Sequence, residues 1–567
     1  MGRSSEASEE PSLSKVPHPS ASRTKRLVVV AVSAIVVVGL ALGLGLGLGL
    51  RHHHSQPALT SSNNSATSLQ ATPQTNFVLS GLQGQPAQDR VFFFSVDHAV
   101  GAPDGVQKPM LAVNGMSPGP TIEVNQNDRI IVHVTNHLEN ATSIHWHGLY
   151  QNGTNFYDGT SAITECGIPP GQTLTYNFTL GEFSGTTWWH APYWHMLRRF
   201  HSVHGCSELV DSYLSPSGID GTPGDEPVPD SGLLNGLGQW GQGGGYFDFT
   251  LNPNTTYRLR LINTGSFASI RFSIDNHPLT IIEADGTLVE PYTVSGVTLA
   301  VAQRYSVLIR TNQTQADGIF WMRTEIQTDM FTYDQPGQNT DIRGIIRYSN
   351  APNPSAMPTA QDDPGPGVKN ITDMDTARLI PAVQDVPLNR TRAYTVNVAL
   401  ENTSSGDFRA FFNGTSWEPL TGTSTLLSVR NAPTTFAPEG SSLNGDQFII
   451  TEDSIQTVDL IINNLDDGDH PFHLHGHKPY IMGTAPGRYV GQALNTKNPL
   501  RRDTMVIPAY NWMVLRFVTD NPGVWAFHCH IAWHMEAGLL MQINSLPSVA
   551  ATLPFPQDIL SQCGVPS

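Results

Sequence analysis

The stretch His528-Cys529-His530-Ile531-Ala532-Trp533-His534 follows a run of short β-like segments, and its alternation decides how the whole chain is read. Successive side chains on a strand point to opposite faces, so His528 and His530 share one side while Cys529 takes the other. Three consecutive residues would then join two different metal sites through covalent bonds. A thiolate with two imidazoles is the donor set of a blue-copper electron-transfer centre, where the fourth position holds a weak axial ligand or none. Zinc competes for Cys and His donors. It does not explain why further histidines come in same-face pairs.

Those pairs lie upstream. His145-Trp146-His147-Gly148 follows the strand-like IIVHVTN, and on a strand both imidazoles would face one centre. By itself such a pair is ordinarily solvated. The run His470-Pro471-Phe472-His473-Leu474-His475-Gly476-His477 is far denser than chance supplies. Around these clusters lie segments rich in β-branched and aromatic residues, among them RVFFFSV, TLTYNFTL, YRLRLIN, RYSVLIRT, AYTVNVAL and WMVLRFVT, separated by Gly, Pro, Asn and Asp. That pattern predicts β-sandwiches.

Composition agrees. The 567 residues carry Lys+Arg 31 against Asp+Glu 48, a net charge of −17, which excludes a nucleic-acid partner needing a basic face. Charged residues make up 14%, against about 25% in an average domain, while Gly 51 and Pro 41 mark a turn-rich chain. Four cysteines rule out a disulfide-dense scaffold.

Residues 1–26 predict a disordered tail. The uncharged run Leu27–Leu50 is about 36 Å long as a helix, enough to cross a hydrocarbon core of about 30 Å. A cleaved signal peptide has an apolar region of only about 7–15 residues and a small-residue cleavage site, whereas this run ends in Arg51 and His52–His54. Lys15, Arg23, Lys25 and Arg26 precede it, so the N-terminus is expected in the cytosol and everything after Arg51 outside the cell or in a lumen. Residues 51–75 read as a linker, with His52–His54 a solvated spacer. Ten Asn-x-Ser/Thr acceptors, at Asn63, Asn140, Asn152, Asn177, Asn254, Asn312, Asn370, Asn389, Asn402 and Asn413, fit a glycosylated ectodomain.

From about Phe77 to the C-terminus the chain resembles the multicopper oxidases, the family of laccases, ascorbate oxidases and cell-surface ferroxidases. The paired His-x-His motifs, HCHIAWH, NGMSPGPTIEV, PDSGLLNG, YRLRLIN and AQRYSVLI carry the resemblance. It implies an all-β fold of three cupredoxin-like Greek-key sandwiches, at 76–206, 207–368 and 369–567, behind the transmembrane helix. It also implies four coppers. His470, Cys529 and His534 would hold the type 1 copper, with Leu539 at the axial position, a residue that cannot coordinate. His145 and His473 would hold the type 2 copper, and His147, His190, His475, His528 and His530 the type 3 pair. Asp158, in FYDGT, matches a carboxylate that assists proton delivery, although Asp-Gly is also a common turn pair. Cys166 and Cys563 sit where the family links its first domain to its C-terminus.

The second motif departs from the pattern. After GTTWWH the family has a second histidine two residues on, whereas here His190 is followed by Ala191-Pro192 and YWHMLRRFHSVHGCSELV. Proline cannot ligate copper, so the type 3 pair is one imidazole short. With suitable synonymous codons, Pro-Tyr-Trp-His-Met-Leu-Arg-Arg-Phe-His reads one nucleotide later as His-Thr-Gly-Thr-Cys-Ser-Asp-Gly-Phe, restoring the missing histidine and a family Ser-Asp-Gly. The interval to Leu233 is also short, and the family's acidic-Trp-Tyr-His segment is missing. A frameshift or misplaced splice boundary from about Pro192 to about Cys206 is therefore expected, with His195, His201, His204 and Cys206 carrying no designed role.

The leading expectation is a membrane-anchored oxidase that couples one-electron oxidation of phenolic or related aromatic substrates to reduction of dioxygen to water. A ferroxidase feeding an iron permease in the same membrane is the second. A copper-binding surface protein with a non-functional trinuclear site is the third.

Overall fold

The computed structural model describes residues 67–191, 213–218, 222–314, 317–359, 372–433, 442–444 and 446–563. The tail, the span at Leu27–Leu50, its linker to residue 66 and the stretch Pro192–Cys206, where an altered reading frame is expected, lie outside the described residues. Among those described, no helix is long and apolar enough to cross a membrane.

Strands dominate and fall into three successive blocks. In the first, the long strand Asp89–Gly101 runs parallel to Arg129–Asn136 and antiparallel to Lys108–Val113, and Thr173–Thr179 closes the sheet antiparallel to Arg129–Asn136. Period two is visible in Arg129–Asn136, where Ile130, Val132, Val134 and Asn136 are buried and the residues between them are not. Opposite this sheet, the described residues supply a two-stranded ladder, His145–His147 against Trp188–His190. It puts His145 across from His190.

The second block pairs a five-stranded with a four-stranded sheet, and the third a five-stranded with a six-stranded one. In the six-stranded sheet the strand His470–Leu474 lies between Gly523–Cys529 and Thr504–Ile507, which sets Phe472 across from Cys529 and His473 across from His528. The dense histidine motif and HCHIAWH are thus neighbours by hydrogen-bonded register. Trp525, Phe527, Phe472, Leu474 and Ile543 are fully buried around them. At about 1.5–3 kcal/mol for each large apolar side chain buried, this core holds the strands in place.

Two glycines are needed where the motifs turn. Gly476 follows His475 at φ +64°, and a Cβ there would run into the Trp525 ring. Gly159 follows Asp158 at φ +79°, and a Cβ would strike the Ile144 carbonyl. Each lets a functional residue press against the core strand beside it.

Cys166 and Cys563 form a disulfide across a sequence separation of 397, fixing the C-terminal helix Gln557–Gln562 to the first block. Replacing both by serine should lower unfolding free energy by about 2–5 kcal/mol, read from denaturant midpoints; an unchanged midpoint would show that packing alone holds the helix.

Candidate metal centre

Cys529 is buried and free of any disulfide, and its Sγ lies 3.7 Å from His470 Nδ1 and 3.5 Å from His534 Nδ1. The two Nδ1 atoms are 3.0 Å apart, so three donors converge on one point. Burial raises the thiol, yet His534 and His470 outweigh it and bring Cys529 down to about 7. Such a group is poised to bind as thiolate. Leu539 is buried in the same core, its carbonyl accepting the Cys529 N–H at 3.1 Å.

The outer edge of this cluster carries two acids that sequence reading missed. His470 Nε2 donates to Asp466 at 3.1 Å, and His534 Nε2 donates to Glu226 at 2.8 Å. Burial lowers the His534 imidazole's affinity for protons, but Cys529 and Glu226 more than offset it and lift it to about 10. His470 is likewise raised, burial being outweighed by Asp466 and Cys529. Both rings are therefore fixed with Nδ1 toward the thiolate and Nε2 toward the carboxylates.

On the other face of Cys529 a second cluster gathers His145, His147, His190, His473, His475, His528 and His530. His147 and His473 stack with centroids 3.7 Å apart, His145 and His475 sit 4.0 Å apart, and His190 and His530 5.2 Å apart. Their orientation follows from what holds the opposite nitrogen. His145 Nδ1 donates to the Asp158 carbonyl at 2.7 Å, His473 Nδ1 to the Asp503 carbonyl at 2.9 Å, and His528 Nδ1 to the Cys529 carbonyl at 2.8 Å. His147 Nε2 lies 3.3 Å from Asp503 Oδ1, and His475 Nδ1 donates to Asp158 Oδ2 at 2.8 Å.

What remains is a set of unpartnered buried atoms: Nε2 of His145, His190, His473 and His530, and Nδ1 of His147. A buried unpaired polar group costs about 1–3 kcal/mol, so five in one place mark a site built to be filled by a cation. Burial, reinforced by the neighbouring imidazoles, holds His145, His147, His190, His475 and His530 well below the usual histidine range, and His528 is brought down to about 3. Neutral imidazoles are the form that ligates metal. The donor groupings are His145 with His473 and His147, His147 with His190 and His530, and His145 with Asp158 and His475, while His475 Nε2 faces His528 Nε2 at 3.0 Å.

A fully buried ion pair braces the cluster. Arg304, from the second block, grips Asp503 with Nη1 and Nη2 at 2.5 and 2.6 Å. Burial opposes the charge on Asp503, but Arg304 overrides it and holds the carboxyl well below its ordinary range. His477 stays outside: its Nδ1 donates to the His475 carbonyl, and its ring lies between Phe517 and Trp525.

Three family models, each described as multicopper oxidase, match residues 96–211, 202–351 and 418–549. Laccase-1 of Cryptococcus neoformans var. grubii is 34% identical over 84% of this chain and 83% of its own length. The chain belongs to the multicopper oxidases. This multicopper oxidase is also 32% identical to the iron transport multicopper oxidase fio1 of Schizosaccharomyces pombe, over 85% of this chain and 80% of that one. Among solved structures it resembles Fet3p, a multicopper oxidase that functions in iron import, with TM-score 0.72 and 27% identity, covering 84% of this chain and 94% of that chain. The laccase of Botrytis aclada follows at TM-score 0.71 and 29% identity, covering 88% and 96%. Copper is accordingly the metal that these donors serve, and dioxygen the electron acceptor.

Proposed function

We propose that this multicopper oxidase takes electrons from ferrous iron at the Cys529 centre, on the outer face of a membrane anchored by Leu27–Leu50. The observation that carries this reading is the pair of carboxylates, Asp466 and Glu226, each bonded to the outward nitrogen of one thiolate-site histidine. Burial works against the charge on Asp466, yet the bond from His470 keeps it below the usual carboxylate range. A carboxylate so held is a weak proton acceptor, whereas its oxygens suit a divalent cation. Both groups retain partial exposure, with side-chain accessibilities of 15% and 11%.

His470, Cys529 and His534 would hold the type 1 copper beside Leu539. His145 and His473 would hold the type 2 copper, and His147, His190, His475, His528 and His530 the type 3 pair. Copper in these positions supplies one-electron acceptance on the thiolate side and four-electron reduction of dioxygen to water on the histidine side. The chain's own part is to dock the donor on Asp466 and Glu226 and to join the two sides covalently, since Cys529 is peptide-bonded to both His528 and His530. Asp158, fully buried, accepts from His475 Nδ1 at 2.8 Å and from Thr160 Oγ1 at 2.7 Å, which places its carboxylate beside the histidine side as a proton relay. A permease in the same membrane would take the ferric product.

A second reading, oxidation of phenolic substrates, is favoured by the laccases among the relatives. Anaerobic stopped-flow bleaching of the blue thiolate chromophore separates the two, because it needs only the first centre. Glu226→Gln and Asp466→Asn should each slow bleaching by ferrous iron about tenfold or more, the equivalent of one charge-assisted contact, and change bleaching by a phenol far less. Equal losses with both donors, or none, would count against the iron reading.

A further inference from the structure

Glu165 has no part in the chemistry assigned so far. Its side chain is fully buried; Oε1 accepts from the Tyr176 hydroxyl at 3.1 Å, and Oε2 has no hydrogen-bond partner. The charged groups that face it are Asp158 and Asp558, both acidic. An ionised carboxylate in that setting would cost several kcal/mol, so the group keeps its proton. Burial, with Asp158 and Asp558 adding to it against the Tyr176 bond, lifts the carboxyl to about 8.

Its position gives the proton a use. Glu165 closes the loop that begins at Asp158: its N–H donates to the Thr160 carbonyl at 3.4 Å, and Thr160 Oγ1 donates to Asp158 Oδ2 at 2.7 Å. Asp158 in turn has one oxygen, Oδ1, that is buried, accepts no hydrogen bond and lies 3.5 Å from His145 Nδ1. Tyr176 ties Glu165 to the cluster from the other side, because its hydroxyl accepts the N–H of Ile144, next to the ligand His145. Behind Glu165 lies the C-terminal helix, with Asp558 in its first turn, and the Cys166–Cys563 disulfide locks that helix beside the loop.

We propose that Glu165 is a proton store for the oxygen-reducing centre, resting protonated behind Asp158 and reloading from solvent on the Asp558 side. In the step, the O–H bond of Glu165 breaks, the proton passes toward the Asp158 side, and the carboxylate left behind takes one proton from water; no electron moves. Glu165 touches neither dioxygen nor metal donors, so it acts as a positioning residue for protons. The inference rests on dioxygen reduction by this family, and its test is independent of the donor oxidised.

Infrared spectroscopy of the full protein reads the group directly. The wild type should show the carbonyl stretch of a buried protonated carboxyl at pH 6, shifting in D2O and fading near pH 8; Glu165→Gln should lack that band while keeping the Tyr176 acceptor. Reducing the copper-loaded protein with ascorbate should shift or bleach the band. A band missing from the wild type at pH 6, or one surviving in Glu165→Gln, overturns the protonation. A band indifferent to reduction overturns the store.

Discussion

Copper-loaded protein of this sequence should retain fewer than four coppers per chain and lack the spectroscopic signature of a coupled type 3 pair. The geometry says where the deficit falls. His147, His190 and His530 form a complete three-imidazole grouping, whereas His475 and His528 face each other as two. The further donors grouped with His475 are both engaged, Asp158 with its Nδ1 and His145 in the grouping with His147 and His473. In a His-x-His motif the second histidine stands two positions beyond His190, and that position is Pro192. Pro192→His, or the chain with its frame restored through Cys206, should bind the fourth copper and consume oxygen at least about a hundredfold faster, because even partners one shell beyond a metal's ligands are worth about 10–100-fold. Four coppers with a coupled pair in the unaltered chain would contradict the deficit. A transcript in frame through Pro192 across codons 188–215 would remove the altered-frame explanation while leaving the copper count to decide function.

Every ligand candidate was legible because each lies in a short motif whose spacing is local. His528, Cys529 and His530 separate by strand alternation alone, and His473 meets His528 because two recognisable strands pair. The groups that tune those ligands were not legible. Glu226 bonds to a histidine 308 residues away and sits in a Pro/Asp/Gly-rich stretch that reads as a connection between domains. Asp466 stands four residues before His470 in LDDGDH, where it reads as one of several turn acids. Arg304 and Asp503 are 199 residues apart, and Arg304 looks like the end of an ordinary AQRYSVLI strand until the fold buries it. Glu165, hidden in TECGIPPG, could be read only for its neighbouring cysteine. Periodicity reports which face a side chain takes, whereas partners brought together by sheet packing leave no local trace.

Two buried carboxyls should shape stability in opposite directions. Asp503 is held ionised by Arg304, so its contribution is present above about pH 3.8, the ordinary aspartate value, and is lost as the pH falls through its depressed folded value. Glu165 is the reverse. Folded, it keeps its proton up to about pH 8; unfolded, it releases it near 4.5. Between those values the folded chain binds a proton that the unfolded chain lacks, so stability falls as the pH rises. At 1.36 kcal/mol per pH unit the loss across the window is about 4–5 kcal/mol. Glu165→Gln, which has no proton to release, should unfold at nearly the wild-type denaturant concentration at pH 4.5 and resist denaturant by several kcal/mol more than the wild type at pH 9. Parallel pH profiles for the two proteins would mean that Glu165 ionises without cost and that its burial does not govern its charge. The same proton that makes Glu165 useful behind Asp158 therefore sets the alkaline limit of the fold, with the ion pair of Arg304 and Asp503 setting the acid one.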